Sequence, residues 1–373
     1  MIRRLYIHNF RCLENFTLPL SGQSSLLLIG KNGSGKSTIR LALEIFQKIG
    51  RGINRVSDLV GPTDVARGRM ELPVRFEIEV ELNSMIFEYV VAFEFPDGFK
   101  EHRVLEEKLS SGGRTIYTRT GAQVSLAKSG PAQDGDANFR IDWHLVALPI
   151  VQERSQTDPI FVFKQWLNRM LILSPIPGRI TGESSDETLA PNIDVGNFGD
   201  WFAGLLAYAP AAYSRIDEYL RHIMPDLKDI RNPASGKDSR SLVVQFESNG
   251  SSLNVPFEEL SDGEKCFMIC ALVVASNAAY GPLFCFWDEP ENHIGISEVG
   301  HLVTALRKAF SKGGQFIATS HNPEAIQRFS DDNTLFLERK SHLEPTVVRA
   351  LSQLQVHGDL VDALIRGDVE ASA

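Results

Sequence analysis

The chain has 373 residues, 43% of them hydrophobic, with four cysteines and a net charge of −9. That is ample for a large core and implies one elaborated domain or two lobes. Cys12, Cys266, Cys270 and Cys285 stand in apolar or helical surroundings without a matching His/Cys pair, which favours buried reduced thiols over a zinc site or a disulfide framework.

The charge is uneven. Residues 1–75 hold twelve Lys/Arg against five Asp/Glu, a balance of +7, so the remainder carries −16. Arg51, Arg55, Arg67 and Arg69 could meet nucleic-acid phosphates, serve a nucleotide or a partner chain, or lie on a solvated loop. The start shows no signal-peptide pattern, and a cytoplasmic location is the expectation.

Ile2 to Phe10 reads as a strand and Leu13 to Leu20 as a second, turning at Ser21-Gly22. Leu26 to Ile29 is a short apolar run. It leads into Gly30-Lys31-Asn32-Gly33-Ser34-Gly35-Lys36-Ser37-Thr38, which fits G-x-x-x-x-G-K-[ST]. Such a loop curls around a phosphate with its backbone N–H groups turned inward. Gly30, Gly33 and Gly35 permit the curl, Lys36 can reach the β- and γ-phosphates, and the Ser37 hydroxyl can ligate Mg²⁺. The helix predicted from Ser37 to Lys48 turns its positive end to the same anion.

Residues 50–70 have no period and read as loop. Val74 to Leu82 alternates strictly, and strands follow at Ile86–Phe95, Val104–Leu109, Thr115–Thr118 and Gln123–Ala127: an antiparallel meander. Residues 129–138 are polar loop. Phe161 to Leu173 and Phe198 to Leu220 read as helical, with a long aperiodic loop between them, and residues 140–230 as a mostly helical lobe without sustained heptads. Leu242–Glu247 and Ser252–Val255 predict a hairpin around Asn249-Gly250.

Leu260-Ser261-Asp262-Gly263-Glu264-Lys265 precedes an apolar helix from Phe267 to Ala279. Ser261 and Gly263 at a helix start form a second anion-binding design, although Ser-Asp-Gly alone is also an ordinary N-cap turn. Cys270 to Trp287 is apolar enough to need a membrane check. Interruptions at Ser276-Asn277 and Gly281-Pro282 make it a buried helix, a turn and a buried strand. That strand, Leu283 to Trp287, ends in Asp288-Glu289. Asp288 can hold Mg²⁺ through water, and Glu289 can orient and deprotonate an attacking water. Phe316 to Ser320 is another apolar strand ending at His321, which can donate to a γ-phosphate or to the attacking water. Strands at Thr334–Glu338 and Thr346–Ala350 and a short helix around Leu360–Ile365 complete the chain.

These four motifs in this order resemble the ABC-type ATPase heads. The strand Ile2 to Arg11 and the lack of a coiled coil look most like the RecF, SMC and OLD branch, and within it the compact anti-phage ATPase subunits of the Septu and PARIS kind. The resemblance implies an α/β fold: an ABC-ATPase head with a central P-loop sheet, an antiparallel β meander and an inserted mostly helical lobe. Its expected divisions are residues 1–139, 140–240 and 241–373. It further implies ATP and Mg²⁺ as ligands. It implies a homodimer formed on ATP, in which Ser261 and Gly263 of one subunit complete the site at Gly30 to Thr38 of the other. Glu291-Asn292-His293 matches the segment that crosses that interface, and Gln152 is the nearest candidate for the family's glutamine. OLD nucleases carry a C-terminal Toprim domain; only 52 residues follow His321, so nuclease action is expected from a separate effector protein. The alternative is a DNA-repair or chromosome-maintenance head that binds DNA directly.

Overall fold

The computed structural model describes residues 1–127, 137–329 and 333–351; the helix expected around Leu360–Ile365 lies outside them. The described residues divide into two units, one of Met1–Gln23, Ile29–Met170 and residues 335–351, the other of Ser24–Leu28 and Leu171–Thr334.

In chain order the first elements are β1 (Ile2–His8), β2 (Phe16–Pro19), β3 (Ser25–Ile29), α1 (Lys36–Gly50), β4 (Val74–Leu82), β5 (Met85–Glu94) and β6 (Arg103–Ser111). Next come β7 (Arg114–Thr120), β8 (Gln123–Leu126), β9 (Ala137–Arg140), α2 (Pro159–Asn168), β10 (Leu171–Leu173), β11 (Glu183–Ser184), α3 (Phe198–Tyr208) and α4 (Ala212–Ile223). Then follow β12 (Leu227–Arg231), β13 (Arg240–Ser241), β14 (Val243–Ser248), β15 (Ser251–Pro256), α5 (Asp262–Tyr280) and β16 (Phe284–Asp288). The last are α6 (Ile296–Ser311), β17 (Gln315–Thr319), α7 (Pro323–Gln327), β18 (Thr334–Glu338) and β19 (Val347–Ala350).

The first unit is built on an antiparallel sheet in the order β2-β1-β4-β5-β6-β7-β8-β9. The strict alternation of Val74 to Leu82 works as the sequence implies: Val74, Phe76, Ile78 and Val80 are buried, and Arg75, Glu77 and Glu79 are turned away. The period of two puts every apolar side chain on one face. On that face Phe46 of α1 meets Phe76 and Tyr89 edge-on, and Phe163 of α2 stacks on Phe87. Gly50, the last residue of α1, packs so closely on α2 that a Cβ there would stand 2.4 Å from Leu167 Cβ. Glu107, fully buried, accepts from the hydroxyls of Tyr89 (2.9 Å) and Tyr117 (2.7 Å) and from the N–H groups of Ala147 (2.7 Å) and Leu148 (2.8 Å). A buried carboxylate with that many donors pins the incoming chain at 147–148 to the sheet.

The second unit carries a parallel sheet in which β10, β16, β17 and β3 are neighbours in that order. Its strands are continuous apolar runs, as expected where both faces are covered. Leu171–Leu173 is a strand paired with β16, not the last turn of the helix expected over 161–173; α2 closes at Asn168 instead. The helix expected over 198–220 is two helices broken around Pro210, a residue whose ring clashes with a continuing helix. The segment 140–240 is therefore shared: α2 belongs to the first unit, and α3 and α4 to the second. The strands β9 and β12 were not legible beforehand. Among the described residues no helix is long and apolar enough to cross a membrane.

All four cysteines are free and buried. Burial pushes the thiols of Cys266 and Cys270 up to about 12, so they stay protonated and inert.

Candidate nucleotide site

β3 runs directly into the glycine loop, whose residues belong to the first unit. Gly30 and Gly35 are glycines because of space as well as conformation. A Cβ on Gly30 would stand 2.3 Å from the Leu337 carbonyl oxygen. One on Gly35, whose φ is +105°, would stand 2.9 Å from Thr346 Oγ1 and 3.0 Å from Cys12 Sγ. Gly33 has open space around it, and its φ of +79° alone accounts for the residue. The hydroxyl of Thr346 donates to the Ser34 carbonyl at 2.8 Å, and the Thr346 N–H donates to the Cys12 carbonyl at 3.0 Å. Cys12 Sγ in turn lies 3.4 Å from Thr38 Oγ1. The loop is thus held from behind by residues remote in sequence.

Its ligand face is built differently. Lys31, Asn32, Gly33 and Ser37 are exposed, while Ser34 and Lys36 are buried. Lys36 Nζ donates to the Gly30 carbonyl at 2.7 Å and lies 3.4 Å from that of Lys31, so the ammonium is drawn over the loop rather than out to water. The buried Ser34 hydroxyl has no hydrogen-bond partner. An orphaned donor, a cradle that excludes side chains and a lysine inside it suit a polyphosphate. The exposed Ser37 hydroxyl in the first turn of α1 is a hard oxygen donor of the kind Mg²⁺ takes.

In the second unit, the register aligns Asp288 of β16 with Thr319 of β17, and Thr319 with Leu28 of β3. The C-terminal ends of these strands form one edge, where open α/β sheets place their chemistry. The Thr319 hydroxyl serves both acids: it donates to Asp288 Oδ1 at 2.5 Å and accepts from the Glu289 N–H at 2.9 Å. Sequence reading missed Thr319; its one visible signal is a β-branched residue with a hydroxyl, two positions before His321, in an otherwise apolar strand. Glu289 has a φ of +52°, a left-handed conformation that costs a non-glycine residue about 1 kcal/mol or more. The surrounding bonds hold it there. Asn292 Nδ2 donates to Glu289 Oε2 at 2.8 Å, the Asn292 N–H donates to the Glu289 carbonyl at 3.1 Å, and His321 Nε2 stands 3.4 Å from Glu289 Oε1. Both Glu289 and His321 retain about a third or more of their side-chain exposure, 33% and 42%, so water reaches the pair. Asp288 is a half-buried carboxylate, a second hard donor suited to Mg²⁺.

Glu291 is buried at 6% exposure, unlike its exposed neighbours Asn292 and His293. Burial pushes its carboxyl above the ordinary range. The Ser320 hydroxyl and the N–H groups of Glu291 and His321 oppose that shift, and the charge of Glu289 adds to it.

Also in this unit, Ser261 caps α5 in a reciprocal box: its hydroxyl and N–H each lie 2.7 Å from Glu264 Oε2, and the Glu264 N–H donates back to Ser261 Oγ at 3.3 Å. Gly263 approaches the next turn closely, since a Cβ there would lie 3.1 Å from the His293 carbonyl. His293 Nδ1 is 3.7 Å from Asp262 Oδ2. A cleft of about 500 Å³ opens over Ser261, Asp262, Gly263 and Glu264, with Phe267 and His293 in its wall.

The other singled-out residues fall outside these groups. Gln152 is exposed ahead of α2. Arg55 faces Glu101 at 3.4 Å, and Arg67 and Arg69 both pair with Glu14. Arg55, Arg67 and Arg69, all considered for nucleic acid, therefore already have internal partners.

Comparison with known proteins follows these lines. A crystal structure of an SMC head bound to the C-terminal winged-helix domain of ScpA matches 94% of this chain and 98% of that one, at a TM-score of 0.56 and 16% identity. The fold is that of an SMC head. Residues 1–92 match the family described as an AAA ATPase domain, and residues 197–327 that described as an AAA domain, putative AbiEii toxin, type IV TA system. These two stretches liken the chain to AAA ATPase domains. ATP-binding cassette sub-family F member 2 of Mus musculus is 27% identical over 115 residues, 31% of this chain and 16% of that protein. An OLD nuclease of Thermus scotoductus is 44% identical over 45 residues, 12% of this chain and 8% of that protein. The chain thus spans a small part of the length of the curated relatives it matches.

Proposed function

We propose that the chain is a Mg²⁺-dependent ATP hydrolase whose ATP-bound form pairs with a second copy, and that this pairing controls a separate effector protein such as a nuclease. The observation that carries the hydrolysis is Glu289: a strained, water-accessible carboxylate over-determined by Thr319 and Asn292, with His321 beside it. Strain held by surrounding bonds points to a working residue, because a bystander would relax it.

In this scheme the N–H groups of Gly30 to Thr38 and the Lys36 ammonium bind and orient the phosphates. Ser37 and Asp288 would hold Mg²⁺, which when bound neutralises charge on the phosphate oxygens. Glu289 Oε1 takes the proton of the attacking water, and His321 holds that water or the terminal phosphate in line. Ser261 and Gly263 would offer the start of α5 to the nucleotide of the second copy.

A role in anti-phage defence draws on the likeness to compact defence ATPases and on the toxin–antitoxin description of the family matched by residues 197–327.

The test is Glu289→Gln. Hydrolysis should fall by about 10²-fold or more while ATP affinity is kept. Light scattering of that variant should show a doubled mass with Mg-ATP and none without. Hydrolysis at the wild-type rate would remove Glu289 as the base, and an unchanged mass with ATP would remove the pairing.

A further inference from the structure

Two turns of the second unit carry the reactive groups: residues 289–294 after β16, and 320–322 after β17. Each is hydrogen-bonded within itself. In the first, the N–H of Asn292 donates to the Glu289 carbonyl and that of Ile294 to the Glu291 carbonyl, both at 3.1 Å. In the second, the Asn322 N–H donates to Ser320 Oγ at 2.9 Å, and the Asn322 side chain caps α7. One buried side chain joins them. Glu291 Oε1 accepts a short hydrogen bond from the Ser320 hydroxyl, and its carboxyl faces the His321 N–H.

We propose that Glu291 is a positioning residue for hydrolysis: it fastens the turn bearing Glu289 and Asn292 to the turn bearing His321, so that base and histidine are set as one unit. This inference rests on Glu289 and His321 acting in hydrolysis. Glu291 is on neither reacting face. It is buried where the two residues that follow it, Asn292 and His293, are exposed, which a residue serving only solubility or contact with a partner would not be. The Ser320 hydroxyl relays the restraint, accepting from Asn322 and donating to Glu291. Without Glu291, Glu289 would keep Thr319 and Asn292, but the loop that carries Asn292 would lose its tie to the histidine turn.

The experiment compares wild type, Glu291→Ala and Glu291→Gln. An amide keeps an oxygen for Ser320, so it should preserve the tie. Glu291→Ala should lower kcat by about 10²-fold with KM nearly unchanged, since small misplacements of reacting groups cost that much. Glu291→Gln should restore kcat to within about tenfold of wild type. In parallel, hydrogen exchange of residues 320–324 without nucleotide should be faster in the alanine variant and not in the glutamine variant. Wild-type kcat in Glu291→Ala, a glutamine variant as slow as the alanine one, or a rise in KM matching the loss of kcat would each overturn the assignment. Should the wild-type chain show no hydrolysis, the ATPase reading falls by itself. The exchange data then still decide the tie: accelerated exchange in alanine alone supports it, and unaltered exchange overturns it.

Discussion

The glycine loop and the acid turn are both held rigidly, but by opposite means. The loop is shaped by exclusion. Gly30 and Gly35 sit where Leu337, Thr346 and Cys12 leave no room for a Cβ. The acid turn is shaped by attraction. Glu289 adopts a conformation its own backbone disfavours, because Thr319, Asn292 and His321 supply partners there. A sterically fixed loop tolerates almost no added volume, whereas a turn fixed by hydrogen bonds tolerates volume but not the loss of a donor.

The contrast is broken most severely at Gly30. Gly30→Ala adds one methyl at 2.3 Å from a backbone carbonyl, which no rotamer change can relieve. The expected outcome is loss of measurable ATP binding, together with a stability loss of about 1–3 kcal/mol. Isothermal titration and thermal unfolding check the two effects. Gly33→Ala makes the comparison sharp: it has the same need for positive φ but open space, so it should bind ATP weakly and lose less stability. Equal losses at both positions would mean that φ alone, not packing, shapes the loop.

At the other region the equivalent lesion is Thr319→Val, which keeps shape and removes the hydroxyl. Asp288 then loses a donor and the Glu289 N–H an acceptor. Leaving a buried polar group unpaired costs about 1–3 kcal/mol, here taken from the geometry of the proposed base Glu289. Steady-state kinetics should show kcat reduced about ten- to a hundredfold, with ATP affinity nearly intact. A variant with normal kcat and weakened binding would reverse the division of labour between the two regions.

How much of this was legible in the sequence follows the same division. Gly30, Gly33, Gly35, Lys36 and Ser37 stood out because the phosphate loop proposed for them has a fixed spacing within nine residues. The buttress behind them did not: Thr346 and Leu337 lie some 300 residues further on, and a sequence gives no sign of which chain passes behind a loop. Asp288, Glu289 and His321 were legible as polar residues ending apolar strands. Thr319 was hidden because a threonine inside a strand is ordinary β-former chemistry. Glu291 was read with Asn292 and His293 as the segment matching the family's interface crossing, and its own burial was not seen, since burial inside a turn has no periodicity to betray it. The parallel strand Leu171–Leu173 was read as helix for a related reason, three apolar residues being too few to show a period. The long alternating strands, β4 above all, came through intact because one face is buried over nine residues.

The mildest way to probe the comparison is from behind the loop. Thr346→Val keeps the volume that excludes a side chain at Gly35 and removes only the bond to the Ser34 carbonyl. If exclusion shapes the loop, most of its form survives. The lost hydrogen bond should cost about 1 kcal/mol, seen as a roughly fivefold rise in the ATP dissociation constant with kcat unchanged. Thr346→Ala removes the bond and the volume together, and it should weaken binding further than valine does. The gap between the two variants measures how far packing, rather than hydrogen bonding, holds the phosphate loop. Equal effects in valine and alanine would show that the bond alone matters, and the loop would then be held as the acid turn is.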